Sequence, residues 1–585
     1  MKLTHNIQIS SVKTTNLICK IKAVKNIVWL LLLLGGITNA QQKSTFFSMN
    51  GSLNISYENY ASNASNYTNF RPRYPEDLFR LNGNAVFHFG KYFSIPVGVN
   101  FSNQENTYYL PTLPEEGVYN YIRNPRNNFH INPTYKWARV NLGSQMPQYS
   151  EFTSGDMQIF GVGMEINPKK FILSASYGTS QYAVEPNPIY HLGGAYEQQI
   201  MSARIGYGKV DASKFTLNVV KLKDDTQSVK LQPIGIHPHE GISFAPMVEI
   251  EITENLKLKS EIAASVFTEN LLANDTFLDG KIPGSISKII TINNSTVLDY
   301  AHVNKLTWHN NKFGVGVEVK YVGPGFMSVG YRNIEKDILD YKLLSNFKLF
   351  NNKLLFNGVI GLRTNNLSNT KLTKNNRVIG NVNLQAQLTN QFSINANYSN
   401  FGFRNNQHNN LYRIEMMSNA ISITPTYQFK RKTNFQQISV TASIDQFSQY
   451  DQIAQSSLKT DNKVLQSNYL ISFNKIPLNM GVFGMYLQNK SQQFSFNMEN
   501  VGLNLGYVFM KKKIKANLFT TFNRLERKGF TPDDRLNFRM KIGYKMAKNT
   551  RLNVAFSQYN NRYGSYRPDA QTQENKFQIS LTQKF

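Results

Sequence analysis

Cysteine is almost absent from this sequence, since Cys19 is the only one in 585 residues. Internal disulfide bonds, which stabilise many exported proteins, are therefore excluded as a source of rigidity. Cys19 also lies upstream of the one strongly apolar run, whereas a lipid-anchored cysteine would follow it. The sequence thus argues against a lipoprotein anchor and predicts a fold whose rigidity comes from hydrogen bonding.

Long apolar runs are also scarce. The run 27–34 has too few residues to span a bilayer as a helix, and no other uninterrupted run reaches spanning length. Lysines precede this run and small residues follow it up to Ala40, an order that is typical of a secretory signal peptide. We therefore predict a cleaved signal peptide over residues 1–40 and an exported chain over residues 41–585.

Acidic residues are few for a chain with so many bases. The chain has 64 Lys and Arg against 37 Asp and Glu, a net charge of +27, of which five lysines lie in the predicted leader. The excess fits lysines in turns and at a membrane rim beside anionic lipid. It also fits a pore or pore mouth that favours anionic cargo. An exported membrane protein does not normally meet nucleic acid, so no nucleic-acid partner is predicted.

Motifs that carry catalysis or bind cofactors are missing. The sequence has neither a Gly-x-Ser-x-Gly elbow nor a phosphate-binding glycine loop. His237 and His239 are weak metal candidates, because Pro238 separates them and no further ligand is identifiable. Asp224 and Asp225 resemble the acids of barrel proteases, but beside lysines they fit a solvated loop. We predict a non-enzymatic protein with no catalytic residue, metal or cofactor.

The chain has many segments in which apolar and polar residues alternate, as they do in β-strands. From Asn50 onward it repeats an alternating strand, a tight polar turn, a second alternating strand and a longer polar loop. In the first clear unit, apolar residues from Phe79 to Phe89 and from Phe93 to Phe101 flank the turn 90–92. Later units have turns at 167–170, 253–255, 309–312, 351–352, 389–391, 511–513 and 547–549. With weaker hairpins included, the count is about 26 strands, within a range of roughly 22–26.

This pattern predicts an all-β fold, an up-and-down antiparallel transmembrane β-barrel over residues 41–585. One face of each strand would meet lipid and the other a wet lumen. Aromatic residues such as Tyr92 and Phe171 lie where strands meet turns, as in an interfacial girdle. The short turns and both termini would then be periplasmic and the long loops extracellular. A soluble β-sandwich, with aromatics between two sheets, is the alternative.

The end of the chain repeats the alternation and stops on an aromatic residue. Phe577, Ile579 and Leu581 fall on one face, and polar residues fall on the other. A last strand that ends on Phe585 resembles the signal read by outer-membrane barrel-assembly machinery. This resemblance implies that machinery as a partner, with these four residues as the assembly signal.

A barrel of about 26 strands would be roughly 50 Å wide, so something must fill it. The first predicted strand follows the leader closely, and we expect no separate N-terminal plug domain. The best candidate for an obstruction is the segment 267–296, which is unusually apolar for a loop. Its lumen-occluding residues would be Leu271, Leu272, Phe277, Ile286 and Ile289. An additional hairpin is the other interpretation of this segment.

The leader, the Asn- and Lys-rich turns and the ending Lys584-Phe585 together resemble the large outer-membrane β-barrels of the Bacteroidota. The segments 142–150 and 160–168 are similar to a strand-loop-strand segment in that group. The resemblance implies an outer-membrane location, contact with lipid and lipopolysaccharide, and contact with other envelope proteins. Members include porin-like channels, uptake barrels and barrels attached to the type 9 secretion and gliding apparatus.

These observations predict a loop-gated channel or a component of a larger transport or secretion assembly. Two alternatives stay open. One is a structural or adhesin-like surface barrel with a closed lumen, and the other is an outer-membrane barrel hydrolase.

Overall fold

The computed structural model describes residues 46–102, 122–123, 127–186, 193–209, 212–274, 286–331, 334–370, 376–404, 414–451, 456–492, 495–564 and 567–585. The predicted signal peptide lies outside these residues. Within them, no helix is both long enough and apolar enough to cross a membrane.

Within the described residues, one antiparallel sheet contains every strand and closes on itself. The strands are β1 (Phe47–Ser65), β2 (Asp77–Phe89), β3 (Phe93–Ser102), β4 (His130–Ile131), β5 (Thr134–Tyr135), β6 (Ala138–Gln145), β7 (Ile159–Ile166), β8 (Phe171–Gln181), β9 (Glu197–Gly208), β10 (Lys214–Asp225), β11 (Glu240–Glu251), β12 (Leu256–Thr268), β13 (Thr296–His309), β14 (Phe313–Val322), β15 (Ile338–Leu349), β16 (Leu354–Asn365), β17 (Asn376–Gln387), β18 (Phe392–Arg404), β19 (Ile414–Lys430), β20 (Asn434–Asp451), β21 (Ser456–Phe473), β22 (Leu478–Ser491), β23 (Phe496–Phe509), β24 (Ile514–Arg527), β25 (Asp533–Lys545), β26 (Thr550–Arg562) and β27 (Gln571–Lys584). A 3₁₀ turn at Ile286–Lys288 lies between β12 and β13.

The short strands β4 and β5 share one place in the wall, because both pair with β3 on one side and with β6 on the other. The barrel therefore has 26 strand positions. Each position pairs with its neighbours in the chain, and β27 pairs with β1 to close the wall. The predicted closed, up-and-down, antiparallel barrel of about 26 strands is confirmed.

The turns predicted from the sequence lie at one end of the barrel and show the backbone that the turn residues favour. Asn351 and Asn352 have φ of 55° and 65°, in the left-handed region that asparagine tolerates best after glycine. Lys511 and Lys512 adopt the same region, with φ of 52° and 70°. The longer connections, which include 66–76, 146–158 and 323–337, lie at the opposite end. We call the two ends the short-turn end and the long-loop end.

The outer face of the wall is apolar and open. Five aliphatic side chains on it are between 46% and 58% exposed, namely Val162, Val315, Val317, Leu465 and Val501. An aqueous surface would not carry such a continuous apolar band. Their strand neighbours, such as Glu318 and Asn500, point to the other face. The observed alternation is that of a barrel in lipid, and it contradicts the dry core between two sheets that a sandwich would need.

Among the residues that the structure describes, the inner face is covered on one side only. On the strands β8–β12 its residues are fully buried, as Ser174, Asn218 and Ser265 show. On β25, Arg535 and Lys541 face the same lumen and are exposed. The apolar core therefore does not fill the barrel. It lies between one part of the wall and two chain segments that fold inward.

Candidate functional site in the lumen

Two connections at the long-loop end fold into the barrel and bind each other. We call residues 146–158, between β6 and β7, the first inner segment. Residues 323–331 and 334–337, between β14 and β15, are the second inner segment. Ser328 Oγ donates to the Phe152 carbonyl at 2.6 Å, and the Tyr331 hydroxyl donates to the Ser150 carbonyl at 3.2 Å. Ser154 also forms a parallel bridge with Gly330.

Glycine allows the two inner segments to meet backbone to backbone. A Cβ atom on Gly330 would lie 2.1 Å from the Thr153 carbonyl oxygen. A Cβ atom on Gly155 would lie 1.8 Å from the Tyr331 hydroxyl. Both distances are far inside van der Waals contact. A larger residue at Gly330 would meet backbone and force the segments apart, whereas one at Gly155 would displace the Tyr331 side chain.

Two phenylalanines anchor the inner segments to the wall. Phe152 of the first and Phe326 of the second are fully buried, with ring centroids 5.8 Å apart in an edge-to-face arrangement. They pack on small wall residues, among them Ala245 and Ala301, which leave room for the rings. Burying each phenylalanine contributes about 1.5–3 kcal/mol. The inner segments are therefore a packed layer rather than loose loops.

A buried carboxylate in the wall holds the first inner segment by its backbone. Glu261 on β12 is fully buried and accepts hydrogen bonds from the backbone N–H groups of Glu151 and Phe152, at 3.0 and 3.1 Å. A buried carboxylate is costly unless it has such donors. The pair of bonds therefore fixes both the segment and the carboxylate.

An ion pair adds to the attachment of the first inner segment. Lys320 Nζ lies 2.8 Å from Glu151 Oε1. Burial alone would raise the pKa of the Glu151 carboxyl, but Lys320, with Lys259 and Lys342, holds that pKa below its ordinary value. Burial, with the nearby acids, raises the pKa of Tyr331 to about 12, so its hydroxyl remains a donor at neutral pH.

The second inner segment is held by a charge network on β14–β16. Arg363 binds Asp340 through Nε and Nη2, both at 2.6 Å, and also contacts Glu335 of the segment. Lys342 bridges Asp340 at 3.3 Å and Glu318 at 2.9 Å. The bidentate pair with Asp340 is directional and orients the Arg363 guanidinium, which then holds the second inner segment through Glu335.

The uncovered part of the lumen carries a different charge pattern. Six basic residues on β24–β26 face the lumen and are exposed, and we call them the basic row: Lys515, Arg535, Arg539, Lys541, Lys545 and Arg551. The register places Lys545 opposite Arg551 and Lys515 opposite Gly543. Arg539 Nη2 donates to the Tyr559 hydroxyl at 3.2 Å. Alternation within β25 already places four of them on the face opposite Phe538, whereas only the strand register adds Lys515 and Arg551 to the same row.

The segment predicted to block the lumen lies elsewhere in its described part. Ile290 is buried and packs with Ile242 and Val266, which share the outer face of β11–β12 with the exposed Ile262. Ile286 joins the same apolar cluster. This part therefore covers the outside of the wall, because an apolar loop can bury itself on either face.

Three further residues predicted to occlude the lumen lie within the described part of the chain. Leu272 and Ile289 are exposed, and Leu271 is half-buried and donates its N–H to the Pro238 carbonyl at 2.8 Å. Phe277 lies outside the described residues. An occluding role for the part of 267–296 that is not described stays a prediction. Among the described residues, the two inner segments form the obstruction in the lumen.

The weak metal candidates do not come together. His237 is exposed, whereas His239 Nδ1 lies 2.8 Å from Asp224 Oδ2 in the lumen wall. Gln198 Nε2 donates to the other Asp224 oxygen at 3.0 Å. Across the residues that the structure describes, no group of three His, Cys, Asp or Glu could hold a metal ion. Asp224 is buried at the end of β10, so the expected solvated loop begins only after it.

The four residues of the predicted assembly signal lie at the seam of the barrel. Phe577, Ile579 and Leu581 lie on the outer face of β27, opposite Asn59, Tyr57 and Ile55 of β1. Phe585 exchanges two backbone hydrogen bonds with Gly51, at 3.0 and 3.1 Å. The last strand therefore closes the wall, and its recognition by assembly machinery stays a prediction.

No protein-family model and no curated protein matches this sequence. Among solved structures, the chain is similar to the P pilus usher (PapC) translocation pore, with 9% identity, a TM-score of 0.34, and coverage of 92% of this chain and 99% of that chain. It is similar to the siderophore receptor PirA from Pseudomonas aeruginosa, with 9% identity, a TM-score of 0.38, and coverage of 92% and 80%. It is also similar to the copper transporter OprC, with 9% identity, a TM-score of 0.39, and coverage of 93% and 82%. Likenesses this distant carry no argument about function.

Proposed function

We propose that this chain is a non-enzymatic outer-membrane channel whose lumen is constricted by the two inner segments. The observation that carries the proposal is the difference between the two faces of the wall. Its outer face is an exposed apolar band, and its inner face is polar and only partly covered. An apolar exterior requires lipid, and an uncovered polar interior provides a path for water and solutes.

The dimensions support a membrane-spanning barrel. Strands such as β12 and β25 have 13 residues. At about 3.3 Å per residue and a tilt of about 40°, such a strand is roughly 33 Å tall, close to the thickness of the hydrocarbon core. A wall of 26 positions is roughly 50 Å wide. The inner segments attach to one part of this wall, and no other described segment covers β23–β26.

The placement in the envelope is part of the same proposal. By the general rule for such barrels, the short turns and both termini are periplasmic and the long loops are extracellular. Lipid and lipopolysaccharide would contact the outer face, and the assembly machinery would read the last strand. The segment 286–292, which packs on the outside of the wall, would lie near the lipopolysaccharide layer.

The second candidate is a barrel with a closed lumen that serves a larger secretion or surface assembly. The firm docking of the inner segments through Phe152, Phe326 and Glu261 favours it. The two candidates differ in one measurable property, because a channel conducts ions without a partner and a closed component does not.

Planar-bilayer recording on the refolded full-length protein tests the proposal. We expect stepwise ionic currents from the wild-type protein at neutral pH. Lack of current from the wild type and also from Glu261→Gln, a variant expected to release the first inner segment, would exclude the channel and leave the closed component.

Acidification is expected to increase the current. The pKa of Glu151 in the folded protein lies below its ordinary value of 4.5. Its carboxylate therefore stabilises docking above that value, and the contribution is lost as the pH falls through the lowered pKa. We expect a steady conductance between about pH 8 and 5 and a rise only below the ordinary carboxyl pKa of 4.5. Glu151→Gln should show the higher conductance at neutral pH and respond less to acid. A wild-type conductance that falls steadily with acid would contradict this prediction.

A further inference from the structure

The basic row extends along most of the height of the wall. Arg535, Arg539, Lys541 and Lys545 lie on one face of β25, and the ten residue-to-residue steps from the first to the last span about 33 Å. Successive members on this strand are therefore about 7–13 Å apart. Lys515 and Arg551 widen the row near the short-turn end.

Within the described part of the chain, the basic row has no acidic partners. Among the described residues, its six members form no ion pair, and the lumen face of the flanking strand β23 carries no carboxylate. On the other flank, Glu574 of β27 faces the lumen but is bound by Arg73. The covered part of the lumen differs, because four of its lysines are paired with acids: Lys259 with Glu249, Lys305 and Lys342 with Glu318, and Lys320 with Glu151. Like charges held close together without counter-charges favour an anion between them.

A recess lies at the long-loop end of the basic row. It has a volume of about 260 Å³, and its polar lining is Arg73, Asn523, Asp533, Arg535, Asn537, Tyr559 and Asn561. Arg73 is held by a bidentate contact with Glu574, at 2.6 and 2.8 Å. Asp533 is buried and accepts the Gly564 N–H at 2.7 Å. Among the described residues, Arg535 is therefore the basic side chain of the recess that no carboxylate binds.

We propose that the basic row is a binding track for small, multiply charged anions that cross the barrel, entering at the Arg535 recess. This inference rests on the proposed channel. Several cations in line can bind several charges of one solute at once, whereas a monovalent anion engages one at a time. Lipid phosphates are not the ligand, because the row faces the lumen and the outer face meets lipid.

Reversal potentials across a salt gradient test the charge preference. Wild-type protein is expected to pass chloride over potassium by at least about threefold. Arg539→Gln with Lys541→Gln should bring this ratio close to one. The matched control, Lys511→Gln with Lys512→Gln, removes the same charge from a turn outside the lumen and should keep the wild-type ratio. Equal loss in both double variants would show a general charge effect and overturn the track.

Inorganic tripolyphosphate, added on the long-loop side, tests the preference for multiple charges. We expect it to block the wild-type chloride current, and the half-blocking concentration to rise roughly tenfold in the Arg539→Gln, Lys541→Gln variant. The single variant Arg535→Gln, at the recess, should weaken the block too and is less demanding for folding. Conducting wild-type protein that tripolyphosphate does not block would overturn the track and leave the channel standing. Absence of any current would remove the channel itself.

Discussion

Glu261→Gln is expected to release the first inner segment and to raise the time that the channel spends at high conductance by roughly thirtyfold. The carboxylate accepts two backbone hydrogen bonds in a fully buried site. Glutamine keeps one acceptor oxygen and turns its amide hydrogens toward the other N–H. An unsatisfied buried donor costs roughly 1–3 kcal/mol, and about 2 kcal/mol corresponds to that change in population.

The matched control for this variant is Asp445→Asn. Asp445 also faces the lumen, on β20, and accepts a hydrogen bond from Ser418 at 2.8 Å. The Asp445→Asn variant makes the same change from carboxylate to amide far from the inner segments, so its single-channel record should match that of the wild type. If both variants raise the conductance equally, Glu261 does not hold the constriction.

Val501→Arg is expected to prevent assembly of the barrel, whereas Asn500→Arg is tolerated. The two residues are neighbours on β23, but Val501 is 58% exposed on the outer face and Asn500 faces the lumen. An arginine at mid-height on the lipid face costs about 2–4 kcal/mol, and one in a wet lumen costs little. The folded fraction is measured by the resistance of the barrel to unfolding in detergent gels without heating.

The two arginine variants control for each other, since each adds one positive charge to the same strand. In a soluble β-sandwich, the two variants would assemble equally well, or Asn500→Arg would be the more damaging of the two. Equal assembly of both variants in lipid vesicles would contradict the assignment of Val501 to the lipid face.

The sequence was sufficient to predict the wall because each strand carries the information locally. Alternation of residues such as Phe577 and Gln578 assigns both faces without knowledge of the partner strand. The turns at Asn351 and Lys511 were predicted equally well from residue type. Strand ends were less well predicted, because β24 and β25 continue into 523–534 with mixed polar residues that alternate weakly.

The contents of the lumen were not predictable in the same way. The first inner segment contains Ser, Thr, Gly and a single Phe, so it looks like an ordinary loop until Phe152 and Gly155 meet the second segment. The segment 267–296 had the stronger apolar signal, yet its described part covers the outer face. Hydrophobicity shows that a segment needs burial, but only tertiary contacts show where.

Cysteine labelling along β25 is the most direct test that the wall separates lipid from a wet lumen. In a Cys19→Ser background, single cysteines at Asn537 and Arg539 face the lumen, and one at Phe538 faces outward. A charged, water-soluble thiol reagent should label positions 537 and 539 in lipid vesicles and change the current, and should leave position 538 unlabelled. Equal labelling at all three positions, or labelling at 538 alone, would contradict a lipid-facing wall around a wet interior.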